Sequence, residues 1–453
     1  MAEQKTWGII GGGMLGMTLA LRLSQKGHKV TIYESAEKVG GLTSSWEMPA
    51  NPGRDKEANS GTDAVTWDRF YHVILMSDLN TRKILSEIGL EDDLRWVETK
   101  TGFYSDGKLY SMSNIIEFFK FPPINIVDKF RLGLTIFAAS KIKNWQRLEN
   151  IPVAGWLKKW SGKRVLEKIW LPLLKAKLGD NYKNTSAAFI WTTIQRMYAA
   201  RKSGLKKEMF GYITGGYEKI NKRFASHLIE LGIEIKYQSK VRSIKKTPAG
   251  TMEVSTENNS AQFFDHVIST LSSRESVKIA EGLTDTEKQQ HNNIKYLGVI
   301  CPSILLKKPI SPFYVTNITD NWPPFTGVIE MTALIDKSEI KGHHLVYLPK
   351  YVNPDDALFD KDDAELRKIF LGALFKMYPH ITEEDLQFWG VSKARVVFAL
   401  PTINYSKKIP GINTSLGNYY VISSAQIING TLNVNETIQV AENKLKEILK
   451  ENE

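Results

Sequence analysis

The chain has 453 residues, of which 42% are apolar, 24% are charged and 10% are aromatic, with a formal net charge of +11. This composition excludes a disordered or a fibrous chain, and the length suffices for about two or three domains of ~100–200 residues each. The single cysteine, Cys301, excludes an internal disulfide and a cysteine-rich metal cluster, so we expect a buried, inert thiol.

The start of the sequence offers no export signal. Only Met1 to Thr6 precede the first predicted strand, and no apolar run approaches the ~20 residues of a membrane-spanning helix. We therefore expect a cytoplasmic protein that does not span a membrane.

The first predicted element is a buried parallel strand at Trp7–Ile10, which is short, apolar and followed at once by three glycines. The glycines with the G-x-G-x-x-G spacing are Gly11, Gly13 and Gly16. In a dinucleotide-binding turn the first glycine allows the turn, the second lets the backbone approach a pyrophosphate, and the third lets the next helix pack on the strand. Leucines at every fourth position predict that helix from Met14 to Gln25, with its N-terminal amides facing the phosphates.

A second strand is predicted at Lys29–Tyr33 and ends on Glu34, which lies 23 residues after Gly11. This distance is close to the ~20 residues at which a dinucleotide-binding unit places the carboxylate that binds a ribose hydroxyl. The strands, the turn, the helix and the acid together predict a bound dinucleotide.

The residues after Glu34 favour FAD over NAD as that dinucleotide. An acid, four residues, an apolar residue and a glycine pair, here ending in Val39-Gly40-Gly41, resemble the extended FAD signature of glutathione-reductase-type flavoproteins, in the branch with amine oxidases, phytoene desaturases and protoporphyrinogen oxidase. The resemblance implies an α/β fold, a Rossmann-like FAD-binding domain of the glutathione-reductase type with an inserted α+β substrate domain. The FAD-binding candidates of this block are Gly11, Gly13, Met14, Leu15, Gly16, Glu34, Ser35, Gly40, Gly41 and Leu42.

A second block supports the same branch. Gly215 and Gly216 precede a helix predicted from Tyr217 to Glu230, and Val241 begins a further predicted strand. This order is similar to the middle of the amine-oxidase-type flavoproteins, in which the valine matching Val241 holds the adenine with its backbone. Val241 is therefore a further FAD candidate.

Three phrases are similar to a group of bacterial protoporphyrinogen-oxidase-like proteins whose substrates are mostly unassigned. They are Trp67–His72, Trp170–Gly179 and Tyr420–Gln426. The superfamily usually has a Gly-Asp pair where this chain has Ser423 and Ser424, and the aspartate of that pair holds the ribityl chain, so both serines are candidates for the same contact. The strand matching Tyr296 to Leu306 lacks the lysine that amine oxidases place under the flavin N5, so amine oxidation is not expected.

His72 is the one candidate for a catalytic side chain. It closes the Trp67–His72 phrase, and in a fold of this type it would lie near the flavin ring. A histidine that titrates near neutral pH can move a proton or bind an anionic substrate, while the alternative is a hydrogen-bonded histidine of the core. No metal site is expected, because the adjacent pair His343-His344 has no accompanying ligand set.

The positive charge is concentrated between Lys120 and Lys207, where 19 lysines and arginines stand against 4 aspartates and glutamates. This segment also carries Trp156 and Trp160, one helical turn apart. Basic residues with tryptophan suit an anionic membrane surface, which would make the protein peripheral on the inner face of a membrane. The same charges would attract an anionic substrate, such as a polyprenyl phosphate or a nucleotide-sugar, and the alternative is a solvated face over buried tryptophans. Nucleic acid is not expected, since no binding module accompanies the charge.

The segments predict a discontinuous FAD-binding domain and an inserted substrate domain. We expect the FAD-binding domain at residues 1–75, 208–275 and 390–453. The substrate domain would comprise residues 76–207, mainly helical and basic, and residues 276–389.

Three functions are consistent with the sequence. The first is an FAD-dependent oxidoreductase in which a hydride passes from an apolar or lipid-linked substrate to the flavin N5, as oxidation or desaturation. The second is a non-redox flavin mutase similar to UDP-galactopyranose mutase, for which the basic segment and His72 would serve. The third is a protein that binds FAD without catalysis. The feature that favours it is the replacement of the usual Gly-Asp pair by Ser423 and Ser424.

Overall fold

The computed structural model describes residues 3–49, 64–201, 208–258, 261–428 and 431–451. The end of the basic segment, residues 202–207, lies outside these ranges.

The strands of the described residues are β1 Thr6–Ile10, β2 Lys29–Tyr33, β3 Ser45–Pro49, β4 Ala64–Asp68, β5 Ile74–Leu75, β6 Leu94–Glu98, β7 Thr101–Ser105, β8 Lys108–Ser111, β9 Met209–Ile213, β10 Glu234–Lys236, β11 Val241–Lys246, β12 Met252–Thr256, β13 Ala261–Phe264, β14 His266–Ser269, β15 Tyr296–Leu306, β16 Val315–Ile318, β17 Gly327–Glu330, β18 His344–Tyr347, β19 Lys350–Val352, β20 Leu386–Ala399 and β21 Tyr419–Val421. The helices are α1 Met14–Gln25, α2 Leu79–Glu87, α3 Ile115–Lys120, α4 Ile126–Lys141, α5 Gln146–Glu149, α6 Val153–Ser161, α7 Lys163–Val165, α8 Leu171–Leu178, α9 Ala187–Arg201, α10 Gly216–Glu230, α11 Ser273–Lys278, α12 Asp285–Asn292, α13 Asp363–Met377 and α14 Val434–Glu451.

The N-terminal strands belong to a parallel sheet with the order β10-β2-β1-β14-β21. Successive side chains of a strand point to opposite faces, so each strand contributes to two cores. Ile9, Ile32 and Ile268 face the core that holds α1, α10 and α14. Their neighbours, such as Ile10 and Val267, face the core beneath the antiparallel sheet β11-β12-β13. The result is a three-layer arrangement of helices, parallel sheet and antiparallel sheet.

The second large sheet has the order β19-β15-β18-β17-β16-β7-β8, and β20 pairs with β15 along most of its length. All 11 residues of β15 are buried. One core that contains residues of β15 also contains α13, and a second contains the helices α4, α6, α8 and α9. The predicted α/β class, with a mixed second domain joined to a parallel nucleotide-binding sheet, is confirmed.

The predicted domain boundaries stay predictions, and some elements of the structure cross them. β20 continues past residue 390 and remains paired with β15 as far as Ala399. α11 begins before residue 275 and contributes Val277 to the core of the nucleotide-binding part. α2 lies beyond residue 75, and its Ile84 and Leu85 pack in the core of α1 and α14.

Candidate functional site

The glycine-rich turn joins β1 to α1 and shows why each glycine is needed. Gly11 has a φ of 107°, a backbone conformation that favours glycine. A Cβ on Gly16 would lie 2.0 Å from the carbonyl oxygen of Gly11, so only glycine lets the helix approach the turn. A Cβ on Gly13 would meet no atom nearer than the Gly40 carbonyl oxygen, at 3.9 Å, so its position opens onto free space.

Gly13 is also the N-cap of α1, and no side chain caps that helix. The first N–H groups of a helix have no partner within the helix and carry a partial positive charge, which suits a phosphate. Met14 and Leu15 begin the helix with buried side chains, so their backbone amides are what they offer a ligand.

The glycine pair Gly40-Gly41 lies directly against this turn. The Gly40 amide donates to the carbonyl oxygen of Gly12 at 2.9 Å, and Gly13 and Gly40 form a parallel bridge. Gly40 and Gly41 have φ values of 129° and 57°, which explains why both are glycine. Leu42 follows as a half-buried residue. The two glycine motifs, separate in sequence, therefore form one surface.

Glu34 lies at the carboxyl end of β2 and is buried. Its carboxylate accepts hydrogen bonds from the amides of Gly12 and Ala36, each at 2.8 Å, while Ser35 is exposed beside it. The Ser35 hydroxyl also donates to this carboxylate at 3.3 Å, and since a carboxylate has about four acceptor positions, Glu34 retains one for a ribose hydroxyl.

Val241 is held near this acid by the chain that precedes it. The amide of Ser239 donates to the carbonyl oxygen of Glu34 at 2.8 Å, and the amide of Gln238 donates to that of Ala36 at 3.0 Å. Val241 then begins β11 with a buried side chain. The structure thus brings the second predicted block to the ribose end of the first.

Ser423 and Ser424 follow β21 at the same edge of the parallel sheet as the glycine turn, because the carboxyl ends of parallel strands share an edge. The Ser423 hydroxyl accepts from the Ala425 amide at 3.3 Å, and the Gln426 side-chain oxygen accepts from the Ser423 amide at 2.7 Å. The Nε2 of Gln426 is buried and has no hydrogen-bond partner within the described residues.

Gln426 was not singled out by the sequence analysis. The sequence signal that could have identified it is the spacing of a capping box, a serine followed three residues later by a glutamine. A buried donor without a partner is costly unless a ligand accepts from it, so Gln426 joins the two serines as a candidate contact. Together the open Gly13, the uncapped α1, Glu34 and this donor fit the phosphates, ribose and ribityl chain of FAD.

His72 lies between β4 and β5, with its ring against Tyr217 at a centroid distance of 4.8 Å. Its Nδ1 is 3.8 Å from the Oδ2 of Asp68 and has no hydrogen-bond partner within the described ranges. Burial lowers the pKa of His72 to about 4, so the ring is neutral at pH 7. A neutral ring cannot attract an anionic substrate by charge, and a catalytic role for His72 stays a prediction.

Asp68 is a buried acid that joins three parts of the structure. Its Oδ1 accepts from the amide of Tyr217 at 2.9 Å, at the start of α10, and its carbonyl oxygen accepts from the hydroxyl of Tyr347 at 2.7 Å. Burial raises the pKa of Asp68 to about 7, although the hydrogen bonds from Tyr217 and Ser45 act in the opposite direction.

Tyr71 and Tyr351 form the nearest group of the second sheet. Their hydroxyls are 3.0 Å apart, and the ring of Tyr71 contacts that of Tyr347 at 6.4 Å. Both tyrosines are half-buried, so each retains surface that a ligand can contact. The segment from Asp68 to His72 thus connects the nucleotide-binding sheet with an aromatic surface of the second sheet.

The raised pKa of Asp68 predicts a pH-dependent stability. The folded-state value, about 7, lies above the ordinary value of 3.8, so this carboxyl stabilises the fold below about pH 4 and the contribution is lost as the pH rises through 7. We expect the free energy of unfolding to fall by about 3 kcal/mol more between pH 4 and 7 in the native chain than in Asp68→Asn, since the free energy changes by about 1.4 kcal/mol per pH unit between the two pKa values and levels off above the higher one. Urea unfolding across this range measures the difference, and parallel curves for the two proteins would contradict the assignment.

A family model described as flavin containing amine oxidoreductase matches residues 15–398 of the chain. Among curated proteins, the chain is 23% identical over 259 residues to zeta-carotene desaturase of Synechocystis sp. and 22% identical over 267 residues to 15-cis-phytoene desaturase of Arabidopsis thaliana. These matches cover 52% and 54% of this chain, and 50% and 44% of the two relatives. The chain thus spans about half the length of the curated relatives that it matches.

Solved structures resemble the chain over nearly its whole length. They include a candidate protoporphyrinogen oxidase from Exiguobacterium sp. 255-15 (TM-score 0.74, 15% identity), an oxidoreductase from Methanosarcina mazei (0.74, 17%) and a CLA-producing fatty acid isomerase from P. acnes (0.72, 15%). The alignments cover 99%, 97% and 99% of this chain, and 99%, 100% and 99% of those chains. At these identities the likeness concerns the fold. Because the family model matches most of its length, the chain belongs to the flavin containing amine oxidoreductase family, and its cofactor is FAD.

Proposed function

We propose that this protein is an FAD-dependent oxidoreductase that oxidises or desaturates an apolar or lipid-linked substrate by removal of a hydride. The observation that carries the proposal is the continuity between the glycine turn, the Asp68–His72 segment and the half-buried aromatic surface of Tyr71 and Tyr351. When bound, FAD supplies the acceptor for the hydride at its N5.

The residues around this segment suit an apolar substrate. Half-buried apolar side chains pack on the two cores beside it, including Phe70, Val73, Met197, Leu173 and Val397. His72 is neutral, and the phenol groups of Tyr71 and Tyr351 have pKa values raised by burial, so these side chains carry no charge at pH 7. Their role in this proposal is to orient the substrate and exclude water from the reacting carbon.

The names of several relatives support an apolar substrate. Zeta-carotene and 15-cis-phytoene desaturases are named for polyenes, and the isomerase from P. acnes is named for a fatty acid. Because this chain also lacks a lysine along β15, from Tyr296 to Leu306, we do not propose an amine substrate.

Anaerobic reduction of the flavin tests this function. The purified protein should be yellow, and its visible absorbance should bleach on anaerobic addition of an oxidisable polyene or unsaturated fatty acid but not of a saturated analogue. Turnover seen only after prior reduction with dithionite, with no net redox change, would instead identify a mutase. A colourless protein that takes up no FAD would overturn the proposal.

We further propose that FAD binds through the candidate residues at the sheet edge, with its pyrophosphate beside Gly13. The backbone of Gly13 has a φ of −76° and a ψ of 177°, which any residue can adopt, so Gly13→Val should fold while its side chain occupies the phosphate space. We expect FAD affinity to fall on the order of 100-fold, equivalent to about 3 kcal/mol. Gly411→Val is the matched control, because a Cβ there meets no atom within 4 Å and the site is remote in sequence. Equal flavin content in the two variants would contradict the placement.

The partner of the basic segment is a separate part of this proposal. In the described part of the chain no helix combines the length and apolarity needed to cross a bilayer. Trp156 is buried, as in the alternative of tryptophans beneath a solvated face, whereas Trp160 is 39% exposed. The exposed apolar surface lies instead on α3 and α4.

We call this surface the α3–α4 apolar face. It consists of eight large side chains that are 37–68% exposed: Ile115, Ile116, Phe119, Ile126, Val127, Phe130, Leu134 and Phe137. Phe119 and Phe130 contact each other at 5.7 Å, and the Nζ of Lys129 donates to the carbonyl oxygen of Phe119, so the two helices form one surface. A contiguous exposed apolar patch of this kind marks an interaction site.

The charges around the face favour an anionic bilayer surface as its occupant. Lys120, Arg131, Lys141 and Lys143 are exposed on and beside α3 and α4, and each cation near an anionic surface contributes ~1 kcal/mol. An apolar face with basic flanks is the composition of a helix that lies in a membrane interface. Such contact would also give an apolar substrate a direct route to the protein.

Flotation with liposomes tests the membrane contact. The native chain should float with vesicles that contain anionic lipid and bind less as salt increases, because the cations are screened. Phe130→Ser combined with Leu134→Ser should abolish flotation while FAD content is retained. Phe263→Ser is the matched control, since Phe263 is 59% exposed on β13 and lies outside the α3–α4 apolar face. Failure of the native chain to float at low salt would remove this proposal.

A further inference from the structure

Lys177 is an amine in aromatic surroundings in the last turn of α8. Its Nζ lies 3.2 Å from the centre of the Tyr351 ring and 5.9 Å from that of Phe398. Tyr351 in turn contacts Tyr71 through the two hydroxyls. The amine is therefore at one end of the aromatic surface whose other end adjoins His72.

The helix that carries Lys177 is irregular just before this point. Leu166–Trp170 form a π-helical turn between α7 and α8, and such turns occur frequently at functional sites. α8 then packs against β19, which contains Tyr351, and this contact places the amine of Lys177 over the Tyr351 ring.

Among the described residues no carboxylate pairs with Lys177, whose ammonium lies instead over the ring of Tyr351. Burial lowers the pKa of Lys177 to about 7, and no carboxylate of the described residues contributes to that value. The hydroxyls nearby are neutral, because burial raises the pKa of Tyr71 to about 12 and that of Tyr351 further. On β19 the adjacent Lys350 is itself a cation whose pKa burial lowers, and the thiol of Cys301 on β15 stays protonated because burial raises its pKa.

Lys129, a buried lysine of the same helical layer, shows how an ammonium is usually satisfied. The ammonium of Lys129 donates to a backbone carbonyl at 2.6 Å. Lys177 is half-buried, and no described residue is shown to accept a hydrogen bond from its ammonium, so the donor positions that are turned away from the ring are available to an anion. Of the two hydroxyls in the Tyr71–Tyr351 pair only one can donate to the other, so the second O–H proton is also available to an acceptor.

We propose that Lys177 is a binding residue for the single anionic group, a carboxylate or a phosphate, of an otherwise apolar substrate. The proposal rests on the proposed function, because it takes the substrate to be apolar, and it names the class as an amphiphile with one anionic head group. The aromatic surface from Tyr351 to Tyr71 contacts the apolar part of that molecule next to the anionic group.

Three probes of equal chain length test the proposal by calorimetric titration of the FAD-loaded protein. They are decanoate, decyl phosphate and decanol, which carry a carboxylate, a phosphate and no charge. We expect one of the anions to bind at least about tenfold more tightly than decanol, as a charge-assisted hydrogen bond would provide. The better of the two anions identifies the head group.

Substitutions separate anion binding from packing. Lys177→Met should remove the preference for the anion and leave the affinity for decanol within about twofold, while Lys177→Arg should retain the preference. Lys175→Met is the matched control, because Lys175 is an exposed lysine on the same helix. A loss of affinity for all three probes alike would indicate a structural role and overturn the proposal, as would a native protein with no preference for an anion.

The pH dependence supplies an independent readout. The affinity for decanoate, which stays ionised in this range, should be constant between about pH 6 and 7 and fall about tenfold per pH unit above 7, because binding then requires protonation of the amine. Lys177→Met should show no such slope. A yellow protein that an apolar substrate reduces but that shows no anion preference would overturn this inference alone. A colourless protein with a preference that depends on Lys177 would overturn only the proposed function.

Discussion

The contact between Gly16 and the Gly11 carbonyl is the constraint on which the rest of the site depends. With 2.0 Å between that oxygen and the position of a Cβ, α1 can lie against the turn only if residue 16 has no side chain. This approach places the Gly12 amide where the Glu34 carboxylate accepts from it, and the Gly12 carbonyl where Gly40 donates to it. Two strands and two loops are thereby fixed around one helix N-terminus.

The parts of this site that are local in sequence could be predicted. Leucine spacing placed the first helix at Met14–Gln25, as observed, because a helix covered on one side by a sheet needs an apolar stripe of that period. The helix after Gly215-Gly216 and the strand at Lys29–Tyr33 follow for the same reason, since pattern and burial agree.

The other parts depend on contacts between distant residues, which no local pattern encodes. Lys177 contacts Tyr351 only because α8 packs against β19. The motif Trp170–Gly179 could therefore be recognised in the sequence, but the role of Lys177 could not. Trp156 and Trp160 were candidates for a membrane contact, with tryptophans buried beneath a solvated face as the alternative, and Trp156 is buried in the core of the helical layer. Composition indicates which residues suit a membrane, but only packing decides which of them remain outside.

The ionisable groups near the second sheet share one physical environment. Burial keeps Asp68 protonated and His72 neutral at slightly acidic pH, and it weakens the charge of Lys177. The three pKa shifts have one cause, because each group prefers its neutral form where water is excluded. A site of this kind binds apolar molecules without competition from its own charges, and it leaves one amine able to take up a proton when an anion arrives.

The α3–α4 apolar face and the amine lie on two sides of one apolar core. Leu132 and Ala139, on the inner side of α4, belong to the same core as Phe398, and Tyr351 packs against it. The two proposals are therefore linked by geometry while their tests are independent, because the first concerns exposed residues of α4 and the second a half-buried residue of α8. An amphiphile with one anionic head group is consistent with both proposals. Its tail is apolar, and its head group would pair with the ammonium of Lys177, for which the described residues supply no anion.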